Sequence, residues 1–151
     1  MKGKYRIVIE NKRIRYDFEI KRNITLIRGD SATGKTILVE MVREFDENGT
    51  DSGINLKCEK KCTALSGRNW EASLSVIQDS IVFIDEGNRF IASREFAAYI
   101  QKTDNYYVIV AREGLLSLIH ILTGRARESI PRRKGSFFWI MFWPCSNATI
   151  F

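Results

Sequence analysis

Gly29-Asp30-Ser31-Ala32-Thr33-Gly34-Lys35-Thr36 is the stretch that decides the fold of this chain. It satisfies G-x-x-x-x-G-K-[ST] at every fixed position. The flanks agree with it. Asn23-Ile24-Thr25-Leu26-Ile27-Arg28 reads as a buried strand, and Ile37-Leu38-Val39-Glu40-Met41-Val42-Arg43 reads as a helix. Strand, glycine loop and helix form the context in which this motif carries weight. Glycines let backbone N–H groups turn inward around a phosphate, and the new helix adds the positive end of its dipole. In such a loop Lys35 reaches the β- and γ-phosphates and the Thr36 hydroxyl ligates Mg2+.

Working back from the loop, Tyr5–Glu10 and Arg13–Ile20 flank Asn11-Lys12, and the second run alternates polar and apolar residues. This predicts a β-hairpin leading into the loop strand. Working forward, a helix is expected over about Lys35–Phe45, broken by the turn formers of Glu47–Gly53. Ile54–Cys58 and Cys62–Leu65 are short candidate strands, either one bent strand or a hairpin around Glu59-Lys60-Lys61. Asn69 is placed to cap a helix over Trp70–Gln78, with Trp70, Leu74 and Ile77 inward. Ser93 is placed to cap another over Arg94–Gln101, with Phe96, Ala97 and Ile100 inward.

Between those helices lies Ile81-Val82-Phe83-Ile84-Asp85-Glu86, and after them Tyr106-Tyr107-Val108-Ile109-Val110-Ala111. Unbroken runs of β-branched and aromatic residues indicate strands buried on both faces. Strand and helix alternate from Ile24 to Ala111. The expected fold class is therefore α/β, three layers, with a mainly parallel sheet, helices on both faces and an N-terminal antiparallel hairpin.

Asp85 stands at the carboxyl end of its strand, where open α/β sheets bind ligands. It is a candidate metal residue, and Glu86 is placed to polarise an attacking water. Together these features resemble the P-loop NTPases, with residues 29–36 as Walker A and Ile81–Asp85 as Walker B. The resemblance is to the division with an additional strand and a catalytic Glu, which includes ABC-type and AAA-type ATPases. It covers roughly Tyr5–Arg112. It implies binding of ATP with Mg2+, metal contacts from Thr36 and Asp85, catalytic roles for Lys35 and Glu86, and a γ-phosphate sensor at Arg112. It also implies a site completed across a homodimer or in a larger ATPase complex.

The departures are specific. Leu65-Ser66-Gly67-Arg68-Asn69 echoes the start of an ABC signature, but Arg68 replaces the second Gly and the segment from Thr36 to Asp85 is too short for the usual insertion. No Asn-Lys-x-Asp motif supports guanine specificity, so ATP is the default nucleotide. Arg68, Arg89 and Arg94 are candidates for an arginine finger. Three functions follow from these residues: a Mg-dependent ATPase first, then a small-molecule or nucleoside kinase with Asp85 as base, then a non-hydrolysing regulatory module.

Of 151 residues, 24 are basic and 18 acidic, a net charge of +6. Five of the basic residues and one acid (Glu128) lie in 115–151, leaving the first 114 residues nearly neutral. A nucleic-acid partner is not indicated. The cysteines are Cys58, Cys62 and Cys145, and the single histidine is His120. Their odd number, with no signal peptide, fits a reducing cytoplasm. Cys58-Glu59-Lys60-Lys61-Cys62 is half of a zinc site at most, and reads as two thiols beside a strand. No run reaches the ~20 apolar residues of a membrane span. The expected division is an NTPase domain over 1–114 and an atypical segment over 115–151, with a candidate last strand at 115–122. Phe137–Trp143 is hard to pack, and Leu116–Ile121 matches one translation of a sequencing-adapter end. The segment therefore reads as a non-native ending; its rival reading is a basic, aromatic tail that docks on a partner or a membrane surface.

Overall fold

The computed structural model describes residues 4–21, 23–28, 35–85, 87–111, 139–140 and 148–150. The first two strands, β1 (Tyr5–Glu10) and β2 (Arg15–Ile20), pair antiparallel with Ile7 opposite Phe18. The second strand starts two residues later than its alternation predicts. The Asn11 side chain accepts the N–H groups of Arg13 (2.8 Å) and Ile14 (2.9 Å), and Asn11 N–H donates to the Ile14 carbonyl. Asn is favoured in turns for this local bonding, which withholds those donors from the ladder. On the outer face Arg6 grips Asp17 with two bonds of 2.8 and 2.6 Å.

The loop strand is β3 (Ile24–Arg28), and the helix that follows the loop is α1 (Lys35–Asn48). The helix runs three residues past its expected end and passes through a 3-10 turn, Gly49–Ser52. Gly53, left-handed at φ 74°, ends it. A left-handed residue at a helix end is a position that glycine takes without steric cost.

The chain then crosses between sheets. β4 (Asn55–Lys57) adds to β1 antiparallel, whereas β5 (Lys61–Leu65) joins a different, parallel sheet. The two short strands are thus neither one bent strand nor a hairpin. α2 (Trp70–Val76), β6 (Ser80–Asp85), a 3-10 turn (Arg89–Ala92), α3 (Arg94–Gln101) and β7 (Tyr106–Ala111) follow. Ser93 caps α3, its hydroxyl accepting the Phe96 N–H at 3.2 Å. Asn69 caps α2 only through its carbonyl, and the helix stops two residues short of Gln78.

Four strands are parallel, in the order β5-β6-β7-β3. The far side of β3 is bordered by β8 (Trp139–Ile140), antiparallel, and β9 (Ala148–Ile150), parallel. The candidate strand at 115–122 lies outside the described residues.

Alternation divides the parallel strands between two apolar cores. Leu26, Val82, Ile84, Tyr107 and Ile109 face α2, α3 and the 3-10 turn between β6 and α3. Trp70 there stacks on Phe90 (5.6 Å) and meets Phe96 edge-on (5.4 Å). Ile27, Ile81, Phe83, Val108 and Val110 face Leu38, Val39, Met41 and Val42 of α1, and the same core takes in Ile7, Ile9 and Ile20 of the hairpin. Both faces of the sheet are therefore covered, which is why these strands lack polar alternation.

Asn105, only 1% exposed, joins strands at the amino-terminal edge. It accepts the Ser80 N–H at 3.1 Å and donates to the Ile77 carbonyl at 2.9 Å.

Candidate functional site

All four parallel strands end on one edge of the sheet, and Asp85 closes β6 there. Asp85 of β6 and Ile27 of β3 are each paired with Val110 of β7, from its two sides. Two strand spacings, roughly 10 Å, therefore separate Asp85 from the end of the loop strand. Lys35 is the first residue of α1, directly behind the glycine loop, and it is buried (5% exposed). Thr36 beside it is exposed, and Asp85 is half-buried. The fold thus brings Lys35, Thr36 and Asp85 to the same end of the sheet. Gly29, Asp30, Ser31, Ala32, Thr33, Gly34, Glu86 and Arg112 lie outside the described residues.

The turn after Asp85 is held by a residue that sequence reading passed over. Asn88 donates both its backbone N–H (3.2 Å) and its side-chain amide (2.9 Å) to the Asp85 carbonyl. Its side-chain oxygen accepts the Gly67 N–H at 3.2 Å. Gly67 has φ 93°, a conformation a side chain would strain. One amide thereby ties the turn after β6 to the turn after β5. The signal available was Asp85-Glu86-Gly87-Asn88, a cluster of turn formers straight after a buried strand.

Those two turns border an open cleft of about 490 Å³. Arg68 and Arg89 line it from opposite turns, with Asn88, Trp70 and Phe90. Arg94, the third arginine singled out, opens α3 and is exposed.

The two described cysteines form a local unit. Cys58 follows β4 and Cys62 lies in β5. A hydrogen bond from the Cys62 thiol, with backbone N–H groups of the turn, lowers Cys58 to a pKa of about 7, while that same contact and burial push Cys62 up. Lys60 in the intervening turn pairs with Asp79 and lies over the rings of Tyr5 (5.2 Å) and Tyr106 (5.8 Å). Its hydrogen bond to Asp79 is the main cause that raises its pKa. Among the described residues no group of three or more His, Cys, Asp or Glu side chains could hold a metal ion. No helix among them is long and apolar enough to cross a membrane.

Compared with family models, curated proteins and solved structures, the chain gives no match.

Proposed function

We propose that this chain is a Mg-dependent ATPase that hydrolyses the γ-phosphate of ATP. The observation that carries the reading is that Lys35 opens the helix following β3 and Asp85 closes β6, two strands away in the same parallel sheet. Lys35 is the lysine of a complete G-x-x-x-x-G-K-T loop. β7 stands between β3 and β6, an order that suits the additional strand this reading calls for.

The side chains suit a phosphate and a hard cation. Lys35 offers a charged ammonium on a buried stem, and such a charge in low dielectric acts strongly on an anion. Mg2+ keeps most of its waters and needs one or two protein carboxylates. The exposed Thr36 hydroxyl and the Asp85 carboxylate meet that requirement without a larger acidic cluster. When bound, the ion neutralises charge on the β- and γ-phosphate oxygens. In this reading the Glu86 carboxylate takes the proton of the attacking water. Arg112, next after β7, senses the γ-phosphate. The proposal extends to a cytoplasmic protein working as a homodimer or within a larger ATPase complex.

The test is thermal unfolding with Mg-ATP, Mg-GTP or no nucleotide, beside Lys35→Ala. Ligand at 100 times its Kd adds about 2.7 kcal/mol of stability. A shift with ATP that vanishes in Lys35→Ala is expected. A cooperative melt that ATP leaves unmoved overturns the reading. A shift without any turnover favours the non-hydrolysing module.

The small-molecule kinase reading has one observation in its favour. The Arg68–Arg89 cleft adjoins the turn after Asp85, on the side of β6 away from β3.

A further inference from the structure

We infer that the cleft between the β5–α2 and β6–α3 turns is a binding site for a second ligand, a small molecule bearing a phosphate monoester. The walls define the chemistry. Arg68 and Arg89 come from separate turns and border the same space of about 490 Å³. Both are exposed, and among the described residues neither has a hydrogen-bond or ion-pair partner. Arg6 and Arg15 on the hairpin are matched to carboxylates, whereas Arg13, Arg43 and Arg94 have no such partner among the described residues; Arg68 and Arg89 are set apart by bordering one shared space. Two unmatched guanidinium groups facing one cleft favour a doubly charged oxyanion, because each presents a planar fork of N–H donors to its oxygens.

The rest of the wall combines two aromatic rings, Trp70 and Phe90, with Asn88 and the backbone of Gly67 and Gly87. Phe90 borders the cleft and stacks on Trp70, which is itself braced by Phe96 and Tyr99. That is a firm surface for a ring or other flat apolar group. Asn88 holds the two turns at a set separation through the Asp85 carbonyl and the Gly67 N–H, so the arginines start from anchored backbone. The cleft volume lies within the range of small-molecule sites. It lies on the β5 side of β6, whereas β3, the strand that leads into the glycine loop, is two strands away on the other side. The inference deepens the proposed function, and rests on it only for the relation of this ligand to the reaction.

The test is calorimetric titration of the full chain with phenyl phosphate and with inorganic phosphate. It uses the unsubstituted chain, Arg68→Gln, Arg89→Gln and Lys35→Ala. Phenyl phosphate is expected to bind the unsubstituted chain and Lys35→Ala alike. Each arginine substitution is expected to weaken it roughly tenfold or more, the effect of losing one charge-assisted contact. Tighter binding of phenyl phosphate than of phosphate identifies an ester with an apolar group as the ligand. Equal binding, still dependent on the arginines, assigns the free anion. Unchanged affinity in both arginine variants overturns the site. So does loss in Lys35→Ala with retention in the arginine variants, which would put the anion in the glycine loop and leave the nucleotide reading standing. Failure of the ATP-dependent melt alongside arginine-dependent binding removes only the ATPase reading.

Discussion

Ile27 and Asp85 flank Val110, each paired with it across the parallel sheet. A residue eight positions before Lys35 and an acid fifty positions after it are thereby fixed on one edge, one strand apart from each other. The spacing is set by backbone hydrogen bonds, not by flexible side chains. The half-buried Asp85 side chain at the strand end can therefore be changed conservatively with little risk to the frame, whereas Ile27 is part of the core.

Asp85→Asn keeps the size of the side chain and removes the negative charge that attracts a cation. Loss of Mg2+-dependent turnover is expected, with nucleotide still giving a thermal shift through Lys35. Glu86→Gln should keep ATP binding and lower turnover roughly a hundredfold or more, the usual worth of a general base. Turnover in Glu86→Gln equal to that of the unsubstituted chain would remove Glu86 from the mechanism.

Phe96 is fully buried and touches Trp70, Phe90 and Tyr107. Phe96→Ala should cost about 3–5 kcal/mol, since neighbours held by a braced ring cluster relax little into the space. Urea unfolding would show a lower midpoint at an unchanged slope.

Asn105→Ala strands the Ser80 N–H and the Ile77 carbonyl, whose partner amide is buried. A loss of about 1–3 kcal/mol is expected. Asn105→Asp keeps the acceptor for Ser80 but loses the donor to Ile77, so retention of full stability in that variant would contradict the bonding described.

Cys58 should alkylate far faster than an ordinary thiol near neutral pH, because the thiolate is the nucleophile and its pKa is lowered to about 7. The rate should rise through pH 7 and level off above it. Cys62, pushed the other way, should stay unreactive in the folded chain. Mass spectrometry of iodoacetamide adducts across pH would follow both. In Cys62→Ser the Cys58 profile should move, since its hydrogen-bond donor has changed; an unmoved profile would exclude the thiol contact as the cause.

The local sequence determined a good deal of this protein. The buried strands were legible because runs such as Ile81–Ile84 have no polar face to expose, and this property is carried by adjacent residues. The Ser93 cap and the inward set Phe96, Ala97 and Ile100 were legible for the same reason, since capping and helical periodicity act within one turn. Lys35, Thr36 and Asp85 could be singled out as candidates because a motif fixes residue types at fixed spacing.

Only the tertiary structure decided the rest. That β4 and β5 belong to different sheets depends on which distant strand has open hydrogen-bonding groups, β1 for one and β6 for the other. The hairpin's second strand starts late because one Asn side chain competes for two backbone donors. The placement of β7 between β3 and β6, the clasp of Asn88 between two turns, and the meeting of Arg68 with Arg89 across a cleft are long-range pairings. No local pattern encodes them, because each is set by how separate elements share one core.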